Sequence, residues 1–273
     1  MTPDGSTGAS PRPRLAEGRR EEIAELLQTA RAVTIGEIEE RFGVSPMTAR
    51  RDLGELERQG LARRTHGGAV LPGASGHEDS FSTRLATATG AKRALARAAA
   101  ATIEDGESLF LDSSTTAYHL AQELVRGGRT ITVVTNALPI AELIASSGRG
   151  TIDLVVAGGQ LRRIAHSMVG PLAVDALRRH WTDRAFLSVK GIAPDGALTD
   201  ADPLEAEVKH AMIERATRAA VMVEAAKLDR RGLSVIAPLG ATSDLFLAGD
   251  ADDRVAELES HGVAVHLVGG AAS

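Results

Sequence analysis

Two arginines, Arg50 and Arg51, stand side by side in "SPMTARRDL", residues 45–53. A guanidinium fork can pair with guanine O6 and N7 or clamp a phosphate. Whether this pair does either depends on what surrounds it. Ser45 is a good N-cap and Pro46 falls at the first helical position, so a helix begins here. Ala49, Leu53 and Leu56 fall on one stripe, which must face a core. Arg51 points almost directly away from that stripe, and Arg50 lies to one side. The helix start also offers free N–H groups to a phosphate. Ser45, Met47, Thr48, Arg50 and Arg51 are therefore candidate contacts to duplex DNA. Arg63, Arg64 and His66, in "GLARRTHGGAV", can reach backbone phosphates from a short hairpin turned at Gly67 and Gly68.

A second polar set recurs where apolar runs end. "LDSSTTA" places Asp112, Ser113, Ser114, Thr115 and Thr116 at the entrance to a helix, where hydroxyls and free amides cradle an anion. Asn136 follows "VVT". Gly158 and Gly159 follow "VVA" and permit close backbone approach. Lys190 follows "LSV", and "VEAAKLD" carries Glu224 and Lys227. Serine and threonine hydroxyls suit a phosphate, and Asp112 and Asn136 suit sugar hydroxyls. The set points to a small, anionic, hydroxyl-rich ligand. No Walker motif or GxGxxG fingerprint is present, which disfavours a nucleotide. Trp181 and Tyr118 read as packing residues.

These residues need elements to hold them. "RREEIAELLQTAR" is a first helix. "VTIGEIEERFG" is a second, with a capping box from Thr34 to Glu37 and a stop at Gly43. The helix beginning at Ser45 is the third, ended by Gly60. Leu61 and residues 69–71 supply short strands. Three short helices and a basic hairpin make a winged helix-turn-helix over residues 15–71. Residues 72–90 are rich in Gly, Ser and Thr and read as a linker, with a partly helical stretch at 81–85. Residues 91–273 alternate strands and helices with buried Val and Ile runs, which predicts an open α/β sheet. Ligands of such sheets bind beyond the carboxyl ends of the strands, where the polar set lies.

Composition sets the bounds. The chain has 273 residues, 43% of them hydrophobic but only 3% aromatic, so Ala, Val, Leu and Ile must build the core. Cysteine is absent, which removes disulfides and thiolate chemistry. No run approaches a membrane span, and the first residues lack the apolar core of a secretory signal. A cytoplasmic protein is expected. The net charge is −5, but residues 12–70 carry 11 arginines against 10 acidic residues. An acidic chain can still bind DNA through one module that presents its cations.

Residues 33–70 closely resemble the N-terminal signature of the DeoR family of bacterial transcriptional regulators, through "RRDL" and the "HGGA" wing. "LDSSTTAYHLA", "VVTNALPIA", "VVAGG", "VGPLA" and "LEAEVKHAMI" resemble the family's sensor domain, which is itself similar to ribose-5-phosphate isomerase. The resemblance spans about residues 15–265. It implies that Arg50 and Arg51 contact DNA or position the helix, and that Asp52 orients an arginine. It also implies a phosphorylated-sugar effector. Ser114 stands where the family has glycine, Ala49 where it has Ile or Val, and "EAAK" where it often has Asp-x-Ser-Lys.

Two function classes follow. One is a transcriptional regulator, expected to repress a carbohydrate operon until a sugar phosphate binds, working as a dimer or tetramer on operator DNA. The other is a sugar-phosphate isomerase or hydrolase with an accessory DNA-binding domain. Asp112, Asp200, Asp202, Glu205 and Glu207 could supply acid–base chemistry. However, Glu205 and Glu207 read as a solvated helix face with Lys209. No catalytic triad or metal-spaced histidine cluster appears, and His166 and His210 stand alone. A binding domain without turnover, cofactor or metal is expected.

Overall fold

The computed structural model describes residues 16–30, 32–65, 68–70, 79–148 and 150–269. Contacts divide the chain into two compact units that meet between residues 75 and 76.

In the first unit, α1 (Ala16–Ala30) buries Ile23 and Leu27. It leads through a short strand, β1 (Ala32–Thr34), into α2 (Ile35–Phe42). The expected capping box is present. Glu37 N donates to Thr34 Oγ1 at 3.2 Å, and Thr34 N donates to Glu37 Oε2 at 2.6 Å. Gly43 stops the helix in the left-handed region, φ 64°. Helix α3 (Pro46–Arg58) starts on Ser45 and buries Ala49, Asp52, Leu53 and Leu56. Gly60, φ 73°, closes it, and Leu61 N donates back to Leu56 O at 2.9 Å. This cap claims Leu61, which therefore lies in an exposed bend and not in the expected strand.

Strands β2 (Arg63–Thr65) and β3 (Gly68–Val70) then pair antiparallel, and β1 adds a third strand in the order β1-β3-β2. Gly68 is fixed by close approach: a side chain there would collide with the Val33 carbonyl.

The second unit begins earlier than expected. Of the linker read at 72–90, residues 72–78 lie outside the described residues. Residues 79–90 hold α4 (Phe81–Ala86) and the start of α5 (Thr89–Ala100). Their polar residues are caps. Ser80 Oγ accepts from Thr83 N, and the Lys92 ammonium donates to the Arg84 and Thr87 carbonyls at the end of α4. Buried Phe81 anchors α4.

The chain continues through β4 (Ser108–Leu111), α6 (Thr115–Gly127), β5 (Ile131–Thr135), α7 (Leu138–Ser146) and β6 (Ile152–Val156). A hairpin of β7 (Gln160–Arg162) and β8 (Ser167–Val169) precedes α8 (Pro171–Arg178) and β9 (Thr182–Leu187). Next come β10 (Gly191–Ile192), β11 (Ala197–Asp200), α9 (Pro203–Glu214), β12 (Ala216–Glu224) and β13 (Ser234–Pro238). Then β14 (Asp244–Ala248), α10 (Val255–Glu259) and β15 (Ala264–Val268) complete the unit.

Seven of these strands make one parallel sheet, ordered β15-β14-β12-β9-β4-β5-β6. Side chains alternate across it. Leu109 and Leu111 pack with α5, α6 and α7, while Phe110 packs with α8 and α9. Both faces are therefore covered, as the buried apolar runs require. Strand β13 was expected among these strands, but it joins β10 and β11 in a small antiparallel sheet. Its exposed Val235 breaks the buried pattern. Strand β14, not anticipated from the sequence, is buried throughout and takes a place in the main sheet. Among the described residues, no helix is long and apolar enough to cross a membrane.

The winding matters for function. From β4 the chain runs outward through β5 and β6. It then returns to the other side of β4 as β9 and continues through β12, β14 and β15. The order reverses between β4 and β9, and a crevice opens beyond the carboxyl ends at such a switch point.

Candidate functional site

The outward side of α3 is the first site. Arg50 and Arg51 are exposed and have no ion-pair partner among the described residues. Their neighbours differ. Arg19 Nε pairs with the buried Asp52 at 2.6 Å, and Arg20 and Arg58 both approach Glu55. Asp52 thus orients an arginine, but it is Arg19 of α1, and the pair clamps α1 to α3. Thr48 N donates to Ser45 Oγ at 3.3 Å, and the Ser45 and Thr48 hydroxyls lie 3.1 Å apart. Met47 is 74% exposed.

Arg64 lies beside Gly54 on this side of the helix. A Cβ on Gly54 would sit 3.9 Å from the Arg64 guanidinium. Arg64 N also donates to Glu57 Oε1 at 2.9 Å, which holds β2 against α3. Arg63 lies in β2, and His66 and Gly67 lie outside the described residues.

The second site is the crevice between β4 and β9. At its floor the Lys209 ammonium sits 2.5 Å from Asp200 Oδ2 and 3.4 Å from Asp112 Oδ2, and donates to Ser188 O at 2.7 Å. Fully buried Asp112 also accepts from Ser114 N at 3.1 Å and Ser188 N at 3.0 Å. Burial opposes the Lys209 charge, but the surrounding carboxylates of Asp200, Asp112 and Glu205 outweigh it and raise its pKa. Burial likewise opposes the Asp200 charge, and Lys209 overrides it and lowers the carboxyl.

Glu205 forms a second knot. Its oxygens accept from Ser113 Oγ at 2.8 Å and Ser167 Oγ at 2.5 Å, and Arg162 lies 3.7 Å away. Burial pushes its carboxyl up. The charged pattern of Glu205, Glu207 and Lys209 predicts a solvated helix face, and the structure corrects this for Glu205 and Lys209. They lie one turn apart on the buried stripe with Val208 and Met212, and only Glu207 of that set is exposed.

The hydroxyls of "DSSTT" therefore split. Ser113 is committed to Glu205, and Ser114 caps α6 through Ala117 N at 3.0 Å, with an extended φ of −76° that a serine adopts as easily as glycine. Thr115 and Thr116 begin α6, and among the described residues neither amide nor hydroxyl has a partner. Asn136 is buried at the end of β5. Its Nδ2 donates to Met168 O at 2.9 Å, and its Oδ1 has no partner. Gly158 is exposed. Gly159 does permit close approach, but of protein: a Cβ would lie 2.7 Å from Val169 O. Lys190 is half-exposed, and its backbone N donates to Thr199 O.

Lys227 reaches Ser188 Oγ at 3.2 Å and Glu224 at 3.2 Å. Around them Arg84 and Lys92 add two cations that sequence reading missed. Lys92 is lowered to about 8, mainly by burial, with Glu224 opposing the shift and Lys227 and Arg84 adding to it. Burial also lowers Lys227, whereas Glu224 is lowered because Lys227 and Lys92 outweigh its burial. Burial is the main reason both lysines move down, while the fall of Glu224 reflects the cations around it. One sign of this was visible: Lys92 sits on the apolar stripe of Leu95, Ala96 and Ala99, where a lysine is rare unless it has a task.

Other residues fall away from both sites. His210 Nδ1 meets Ile236 O, and His166 stacks on Phe81 at 5.9 Å. Trp181, expected to pack, is 62% exposed with Arg215 over its ring.

Comparison with known proteins assigns both units. Residues 19–74 match the DeoR-like helix-turn-helix domain, and residues 87–247 match the DeoR C terminal sensor domain. A HTH-type transcriptional regulator of Bacillus subtilis, YulB, is 33% identical over 255 residues, 93% of this chain and 97% of its own. GlpR of Haloferax volcanii, also a HTH-type transcriptional regulator, is 33% identical over 90% of this chain and 96% of its own. The glycerol-3-phosphate regulon repressor of Escherichia coli is 34% identical over 79% and 84%. Among solved structures, ribose 5-phosphate isomerase A of Methanocaldococcus jannaschii aligns over 50% of this chain and 53% of its own, at 18% identity and a TM-score of 0.37.

Proposed function

The chain belongs to the DeoR family of transcriptional regulators, and on that premise we propose that it represses a carbohydrate catabolic operon until a phosphorylated sugar binds. The observation that carries this reading is the outward side of α3. Arg50 and Arg51 are exposed there without carboxylate partners among the described residues, while Arg19, Arg20 and Arg58 nearby are paired. A cation left unpaired beside a helix start is available to phosphates and guanine edges. Arg64, with Arg63 and His66 on the wing, extends the contact to the backbone.

The effector occupies the crevice at the switch point. Its phosphate meets the free amides and hydroxyls of Thr115 and Thr116, and the positive field of Arg84, Lys92 and Lys227. Its hydroxyls reach Asn136 Oδ1, with Lys190 at the rim. Asp112 and Ser113 shape this seat from beneath and do not touch the ligand. Relatives named as repressors of the glycerol-3-phosphate regulon and of a lactose phosphotransferase system support a phosphorylated effector. Copies of the chain associate in the cytoplasm so that paired modules meet paired half-sites. Binding shifts the population of module arrangements and lowers operator affinity.

Turnover is disfavoured because the buried acids are engaged. Asp112 and Asp200 close on Lys209, and Glu205 closes on two hydroxyls. A thermal-shift screen with sugar phosphates, followed by turnover assays on each hit, tests this. Stabilisation without turnover is expected. Turnover would establish the enzyme reading, and no stabilisation by any sugar phosphate would remove the effector.

A further inference from the structure

The first turn of α3 carries an apolar group where a base-reading group belongs. Recognition helices meet base edges with their N-terminal residues. Here the hydrogen-bonding side chains of that turn are occupied, since Ser45 Oγ accepts from Thr48 N and the Ser45 and Thr48 hydroxyls face each other. Met47 is left standing 74% exposed, one turn before Arg50 and Arg51 and on their side of the helix. Core packing does not explain it, because Ala49, Leu53 and Leu56 fill the buried stripe. The neighbouring Pro46 ring is held against the backbone, whereas the thioether has three rotatable bonds with which to reach outward. The major groove offers one apolar group on its base edges, the C5 methyl of thymine.

Building on the DNA-binding reading above, we propose that Met47 selects thymine at one operator position per half-site by packing its thioether on that methyl. Arg50 and Arg51, one turn further on, hold the adjoining guanine or phosphates and fix the register.

Uracil in place of thymine removes only the methyl, which makes the test specific. Duplexes selected from a random pool by the full-length protein supply the operator, and each thymine is then replaced singly by uracil. For the native protein, one replacement per half-site should weaken binding roughly three- to fivefold, the value of one methyl's contact. Met47→Ala should bind the thymine and uracil duplexes equally, and Met47→Leu should keep the preference. Met47 is exposed, so both variants should retain the native circular dichroism. Equal uracil sensitivity at every position in native protein and Met47→Ala would overturn this assignment and leave the DNA-binding reading standing. Failure of the native protein to enrich any duplex would overturn both.

Discussion

In the proposed anion seat, Thr115 and Lys92 each carry a testable signature. Thr115→Val removes a hydroxyl while keeping shape at the start of α6. It should weaken sugar-phosphate binding by about 1 kcal/mol, the typical worth of one hydrogen bond. Titration calorimetry measures this, and equal affinity in variant and parent removes Thr115 from the seat. Lys92 carries a pH signature. Burial holds it at about 8 in the folded chain, below its unfolded value. Above that point the unfolded chain binds more protons, so this group's contribution to stability rises with pH until the unfolded lysine has also titrated. An anion beside it reverses the shift. Effector binding near pH 8 should take up a proton and weaken as pH climbs further. Calorimetry in two buffers of different ionisation enthalpy should show that uptake in the native protein and lose it in Lys92→Met.

At the scale of elements, the buried Arg19–Asp52 pair clamps α1 to α3 at 2.6 Å. Removing one partner strands a buried charge, which costs about 3–5 kcal/mol. Arg19→Met should therefore lower the stability of the first unit by an amount in that range, read by chemical denaturation. Operator binding falls with it and returns under stabilising conditions, unlike the loss from an arginine that touches DNA. A change below about 0.5 kcal/mol would be that of a surface position and would show that the clamp is not structural.

The helices of this unit were legible because their caps are local: Thr34 with Glu37, Ser45 with Pro46, and Gly43 each act within one turn. Strand β1 was not legible, since three residues acquire strand character only by pairing with β3. In the second unit the polar strand ends were visible. Their division of labour was not, because Asp112 meets Ser188, 76 residues away, and Ser113 meets Glu205, 92 residues away. The same limit hid Lys209, whose helical neighbours Glu205 and Glu207 make it look solvated. Residues 79–90 read as linker in the sequence because capping serines and threonines share their composition with flexible chain.

For the whole molecule, the division near residue 75 implies two partly independent stabilities. On the proposed reading a saturating effector would bind the second unit alone and, at 100 times its dissociation constant, should stabilise that unit by about 2.7 kcal/mol. Scanning calorimetry should resolve two transitions, with a sugar phosphate moving only the one belonging to the α/β unit. A shift of both together would mean that the units unfold as one. Any effect of effector on operator affinity must also be reciprocated, so operator DNA should weaken effector binding by the same factor. The net charge of −5 repels DNA overall, so on the proposed reading affinity should rest on a few cations and fall with salt by about one unit of log–log slope for each phosphate met.

The most direct test is operator binding by fluorescence anisotropy across a salt series, comparing the native chain with Arg50→Ala and Arg51→Ala on the duplex upstream of its own gene. The native chain should bind with a negative log–log salt slope. Each variant should lose binding by about 1–3 kcal/mol or flatten that slope by about one unit, according to whether it meets a base or a phosphate. Unchanged affinity and slope in both variants, with circular dichroism intact, would contradict the account.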